Sequence, residues 1–278
     1  MAYNRRMLKP IPDFLYGTAW KEERTADLTF QALQAGFRGI DTANQRRHYH
    51  EAGVGEALMR ARDHGIGRED LFLQTKFTFL AGQDHRLPYD RHAPITQQVQ
   101  QSLKRSLLHL HTDYLDSFVL HGPMYRHGLH DADWEAWDAM TQLKQSGVVR
   151  QIGLSNVSAG QLQELVANAD VPPSYVQNRC FAALGWDRDV RALCANHDIK
   201  YQGFSLLTAN LREIQRPQVI ELAERLRLSL PQLVFGYAFS VGMVALTGTS
   251  SPQHMREDLL AKPLDATDAE TFEIWTTK

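Results

Sequence analysis

Cysteine is almost missing from this chain: Cys180 and Cys194 are the only two among 278 residues. That is far too few for a disulfide scaffold, and both read as free thiols in a reducing compartment. An excess of one charge is missing too, since 30 Lys and Arg stand against 32 Asp and Glu. No basic field exists to hold nucleic acid or an acidic membrane surface. No apolar run approaches membrane-spanning length, and the opening Met-Ala-Tyr-Asn-Arg-Arg is not followed by the apolar stretch of a signal peptide. A cytoplasmic protein that works on a small molecule is expected, with neither nucleic acid nor membrane as partner. Pro/Gly/Ser linkers and abrupt shifts of composition are also lacking, so residues 1–278 read as one domain. Nothing in the sequence specifies an oligomer.

What is present is alternation. Short apolar runs with strand character fall at 14–20, 37–43, 71–77, 114–121, 149–156, 175–180, 199–206 and 244–249. Between them lie segments with helical spacing, such as Leu28/Ala32/Leu33, Val54/Ala57/Leu58, Val99/Leu103/Leu107, Trp134/Trp137/Leu143, Leu162/Leu165/Val166 and Val190/Leu193/Cys194. Buried strands alternating with helices imply a parallel sheet covered by helices. Eight such units fit a closed α/β barrel, the single-domain (β/α)8 TIM barrel, better than an open sheet. Ser158-Ala-Gly-Gln161 has capping-box spacing, and Ser251-Pro252 places a capping hydroxyl before a proline at a helix start. Two longer loops, 78–95 and 122–132, are expected to wall a pocket.

Asp41, Lys76 and His121 close the apolar stretches 37–41, 71–76 and 115–121, and consecutive strand ends are where a parallel barrel gathers reacting groups. A buried Lys needs a buried Asp, because an isolated charge of either sign is too costly inside a protein. Such an ammonium beside a tyrosine is expected to favour the phenolate and lower the phenol pKa from about 10 toward neutrality. Tyr49 lies close by in sequence. His121 is placed to orient a substrate oxygen or share a proton transfer. These parts suit the reduction of a carbonyl, with a proton to oxygen and a hydride to carbon from a bound cofactor.

Gly39-Ile-Asp-Thr-Ala43, Glu51-Ala-Gly-Val-Gly-Glu-Ala-Leu58, Lys76, Leu115-Asp-Ser-Phe-Val-Leu-His-Gly-Pro123 and Gly153-Leu-Ser-Asn156 resemble the motifs of the aldo-keto reductase superfamily, in that family's order. The resemblance covers nearly the whole chain. It implies an eight-stranded barrel, a nicotinamide cofactor that is usually NADP(H), with NAD(H) possible, and a catalytic Asp, Tyr, Lys, His set. Asp41, Lys76 and His121 carry over directly. In the family the acid lies five residues beyond the Asp, where this chain has Arg46, and counting back from Glu51 gives His48 instead. Tyr49, the only tyrosine in the inserted segment 44–50, is assigned the role.

The resemblance also implies that Ser155, Asn156 and Gln177 bind the nicotinamide amide and that Phe204 stacks on its ring. Gly17 and Thr18 would line the cofactor channel. Ser205, Leu207, Thr249, Ser250 and His254 would meet the diphosphate and adenosine end. Trp20, Tyr89 and Tyr125 are expected to face substrate, within loops that also carry His85, Arg86, Met124 and Arg126. NADPH-dependent members usually have a Lys after the eighth strand and an Arg in the next helix, where this chain has Gly248 and His254. His254 and Arg256 are the replacements on offer.

Each residue also has an ordinary reading: an ion pair for Asp41 and Lys76, a loop aromatic for Tyr49, core packing for Phe204. Two other functions stay open. His48-Tyr-His50 has the His-x-His form of metal-dependent barrel hydrolases, although the later strand ends supply no further ligands, so no metal is assigned. A barrel that binds cofactor without catalysis and contacts another protein is the second.

Overall fold

The computed structural model describes residues 10–277, so the N-terminal hexapeptide examined for a leader lies outside them. Eight strands close into a barrel in chain order: β1 Phe14–Gly17, β2 Gly39–Asp41, β3 Phe72–Phe77, β4 Leu115–Leu120, β5 Val149–Ser155, β6 Tyr175–Arg179, β7 Lys200–Phe204 and β8 Val244–Thr247. Every pairing is parallel, including β8 back onto β1. The (β/α)8 barrel expected from alternation is the fold. Its strands stop earlier than several of the apolar runs, β1 at Gly17 rather than residue 20 and β8 at Thr247 rather than 249. Beyond those points the backbone turns to line a cavity instead of extending the ladder.

Helices α1 Thr25–Ala35, α2 Glu51–Asp63, α3 Ile95–His109, α4 Asp131–Gln145, α5 Ala159–Asn168 and α6 Arg188–Asn196 follow the first six strands. They match the six helical spacings. After β7 come α7 Leu211–Ile214, α8 Pro217–Leu226 and α9 Leu230–Ser240, and after β8 come α10 Pro252–Asp258 and α11 Ala266–Thr277. Both expected caps form. Ser158 Oγ accepts from the Gln161 N–H at 3.3 Å while Gln161 Oε1 accepts from the Ser158 N–H at 3.1 Å, and Ser251 Oγ accepts from the His254 N–H at 3.3 Å.

Alternation along each strand sorts side chains by layer. On β3 it gives Phe72, Gln74 and Lys76 one inward face. Phe72 joins Leu15, Tyr175, Val244 and Leu246 in a small apolar plug at the barrel's lower end. The larger apolar cluster lies between strands and helices and includes Ile40, Phe118, Ile152 and Val176. Above the plug the interior turns polar. Register places Asp41 opposite Gln74 and Gln177 opposite Gln202, and Lys76 stands one step further toward the strand ends.

At the opposite, N-terminal end, buried Asp116 accepts from Arg68 and Arg150, each at 2.7 Å, and both guanidinium groups lie over the Tyr114 ring. Two cations share one carboxylate there and stack on one ring, as suits the stabilising end of a barrel.

Candidate active site

At the C-terminal end of the strands lies a cavity of about 1240 Å³ lined by Asp41, Tyr49, His121, Ser155, Asn156, Gln177, Phe204 and the loops after β1, β7 and β8. Lys76 sits beneath its floor with no exposed surface. Its ammonium donates to both oxygens of Asp41 at 2.7 Å and to the Thr42 carbonyl at 2.9 Å, which uses all three of its N–H groups. The same ammonium lies 5.3 Å from the centroid of the Tyr49 ring. His121 meets that ring edge-on at 5.9 Å. The inserted segment folds into a turn closed on Gln45, whose carbonyl accepts from the N–H groups of His48 at 3.2 Å and Tyr49 at 3.0 Å. This turn brings Tyr49 into the cavity and leaves Arg46 outside its lining.

The expected acidity of Tyr49 is not what this environment produces. Burial and the Asp41 carboxylate push its phenol well above the ordinary value. Because Asp41 already neutralises Lys76, the pair carries little net positive charge to favour a phenolate. Burial, Lys76 and His48 push His121 down to about 3, so its ring is neutral at physiological pH. His121 Nδ1 shares a 2.7 Å hydrogen bond with the Thr78 hydroxyl, and its carbonyl accepts from Asn156 Nδ2 at 2.7 Å.

Gly17, Ser205, Leu207, Thr249, Ser250 and His254 all line the cavity, as does Trp20. Thr18 does not: it is fully buried, and its hydroxyl and N–H both donate to the Asp41 carbonyl at 3.0 Å. Trp20, 72% exposed, stacks on His48 with ring centroids 4.0 Å apart, so the mouth is walled by the loops after β1 and β2. Neither 78–95 nor 122–132 contributes a lining residue. Tyr89 is buried against Phe77, and its hydroxyl donates to the Thr78 carbonyl at 2.7 Å. Tyr125 is exposed beside His130, on a loop tied down by Asp133 and by Gln161. The first loop is tied to the segment after β2 through Gln45, Gln83 and Arg86, and the second is tied to α4 and α5.

Cations that sequence reasoning missed stand on the cavity wall, Lys21, Arg24 and Arg179. Lys21 is only 7% exposed, donates to the Gly248 carbonyl at 2.7 Å and lies over the Tyr16 ring at 4.9 Å. A Cβ at Gly248 would sit 3.8 Å from its nitrogen, so Lys21 fills the space into which a lysine at 248 would grow. Arg256 is exposed and outside the lining. Four non-glycine residues of the lining, Trp20, Glu22, Asn156 and Ser205, have positive φ, a strained backbone that costs on the order of 1–3 kcal/mol each. Among the described residues no group of three or more His, Cys, Asp or Glu is placed to hold a metal ion. His48 turns to Trp20, whereas His50 turns to the Glu22 carbonyl at 3.3 Å.

The model of the Aldo/keto reductase family matches residues 15–276. The chain belongs to that family. It is thus an oxidoreductase of a family that reduces carbonyls by hydride transfer. It is 29% identical to the methylglyoxal reductase DkgA of Salmonella typhimurium over 242 residues, 86% of this chain and 80% of the relative. The crystal structure of an aldo/keto reductase from Brucella melitensis superposes with a TM-score of 0.79 at 27% identity, over 95% of each chain. An aldo-keto reductase of Bombyx mori, crystallised with NADP, shares the fold with a TM-score of 0.79 at 23% identity, over 97% of this chain and 90% of that one.

Proposed function

We propose that this protein reduces a small aldehyde or ketone with NADPH, using Tyr49 as proton donor, in the cytoplasm. The observation that carries the reading is the buried Lys76–Asp41 pair set against the Tyr49 ring, with a neutral His121 beside it at the floor of the cavity. When bound, the reduced nicotinamide supplies the hydride. As the carbonyl is reduced its oxygen gains negative charge and approaches the basicity of hydroxide, the conjugate base of water. A phenol held protonated by its surroundings is still acidic enough to protonate such an oxygen. Asp41 holds Lys76 against the phenol ring, where the ammonium offsets the repulsion that the carboxylate would otherwise exert on the charge left there. With the Thr78 hydroxyl donating to Nδ1, His121 keeps its proton on Nε2 and directs it at the carbonyl oxygen.

The cavity suits a dinucleotide. Its volume of about 1240 Å³ exceeds the roughly 300–1,000 Å³ of an ordinary small-ligand pocket, which leaves room for cofactor and substrate together. Lys21 fits the anionic part of such a cofactor. Among the described residues this nearly buried ammonium has no carboxylate partner, and a buried cation without a counter-charge is costly. A phosphate would supply the missing charge. Lys21 and Arg24 thus take over from the family's Lys and Arg at positions 248 and 254. Ser155, Asn156 and Gln177 are placed for the nicotinamide amide, Phe204 for its ring, and Gly17 for the channel wall. Ser205, Leu207, Thr249, Ser250 and His254 are placed for the rest of the dinucleotide, while Trp20 and His48 meet the substrate.

Relatives that reduce methylglyoxal favour a small 2-oxoaldehyde as substrate. The test is turnover of methylglyoxal and 4-nitrobenzaldehyde with each reduced cofactor. Consumption of NADPH in step with carbonyl loss is expected, and absence of turnover with both cofactors would overturn the reading.

A further inference from the structure

Beneath the cavity, Gln74 of β3, Gln177 of β6 and Gln202 of β7 converge on Asp41, and the first and last have no exposed surface. Gln74 Nε2 donates to Asp41 Oδ1 at 2.7 Å and to Gln202 Oε1 at 2.8 Å. Gln202 Nε2 donates back to Gln74 Oε1 at 2.9 Å. Gln177 Nε2 donates to Asp41 Oδ1 at 3.0 Å and to Gln202 Oε1 at 2.9 Å. Both N–H groups of Gln177 are therefore committed inward. Its Oε1 makes no hydrogen bond within the described residues, and Gln177 lines the cavity.

A glutamine side chain is nearly symmetric in shape, so only its partners decide which end faces a ligand. Flipping Gln177 would turn its oxygen onto two acceptors, Asp41 Oδ1 and Gln202 Oε1. Gln202 is held in its own sense by the reciprocal pair with Gln74, and Gln74 is held by the carboxylate of Asp41. The order of the whole ring follows from a single anion at its edge. Buried polar networks of this kind are costly when half satisfied and stiff when complete.

We infer that Gln74 and Gln202 are positioning residues that fix Gln177 with its carbonyl oxygen toward the cavity, as an acceptor for the N–H₂ of a carboxamide. The inference rests on the reading that a nicotinamide dinucleotide occupies the cavity. It makes Gln177 selective, because a ring substituent without N–H, such as an acetyl group, would set a methyl group against the Gln177 oxygen and leave that acceptor unpaired. Neither Gln74 nor Gln202 reaches the ligand. Their part is to withhold the alternative orientation.

Calorimetric titration with NADPH and with its analogue carrying acetyl in place of the carboxamide tests this without catalysis. Wild type is expected to prefer NADPH by about tenfold, the scale of one hydrogen bond and its lost alternative. Gln202→Met should bring the ratio close to one. In a Gln177→Met background the ratio should already be close to one, and adding Gln202→Met should leave it there. A Gln202→Met protein that keeps the wild-type ratio would overturn the inference, as would equal weakening of both ligands, the mark of a purely structural role. If that variant does not fold, Gln74→Met breaks the same ring from its other end and is read by the same ratio. A wild type that binds both ligands equally refutes the inference alone. One that binds neither refutes the cofactor reading with it.

Discussion

Tyr49 shows how a residue's chemistry depends on the charge balance around it rather than on its nearest neighbour. Beside a lone ammonium a phenol becomes acidic, but Lys76 is already paired with Asp41, so burial dominates and the phenol keeps its proton. This sets the pH dependence. Tyr49, pushed up, stays protonated through alkaline pH, and His121, pushed down to about 3, stays neutral from weakly acid pH upward. At saturating NADPH, kcat for carbonyl reduction is expected to be flat from about pH 5 to about pH 9. Lys21 behaves differently, for burial and Arg24 lower it to about 8. Its charge is lost as pH rises through that value, so the KM for cofactor should climb above it while kcat holds. A kcat that falls with a midpoint near neutrality would mean an acidic phenol after all.

Strand ends were legible in the sequence because a barrel strand is short, apolar and closed by the residue that faces the site. Asp41, Lys76 and His121 could be placed that way, and so could the caps at Ser158 and Ser251. Loops were not legible, since their course depends on distant partners: Lys21 finds the Gly248 carbonyl 227 residues away, and Tyr89 is captured by the Thr78 carbonyl. A signal for the glutamine ring did exist. Gln74 and Gln202 interrupt buried runs at inward positions, and a buried amide in a barrel interior needs partners from other strands. Helix packing has its own signature in Gly55, where an added Cβ would lie 1.8 Å from the His109 carbonyl oxygen at the end of α3. Because that obstacle is backbone, Gly55→Ala must separate α2 from α3. It should destabilise the fold by about 2–4 kcal/mol, read as a lower midpoint of urea unfolding, despite the helix propensity that alanine adds. An unchanged midpoint would show that the helices have room to shift.

Seen as a whole, the molecule divides its work between the two ends of one barrel. The lower end is filled by the plug around Phe72 and Tyr175 and by the Asp116 ion pairs, and it carries stability. The upper end keeps buried charge, strained backbone and open volume together. Between them, Asp41 serves both, because its carboxylate holds Lys76 above and orders Gln74, Gln177 and Gln202 at its own level. The central claim is that this arrangement makes Tyr49 the proton donor, although family spacing counted back from Glu51 falls on His48. The direct test is kcat for Tyr49→Phe and His48→Phe side by side at saturating NADPH and aldehyde. Tyr49→Phe should lose at least about 100-fold, the scale of one general acid, while His48→Phe stays within about tenfold of wild type. A Tyr49→Phe enzyme at near wild-type kcat, with His48→Phe inactive, would contradict the account.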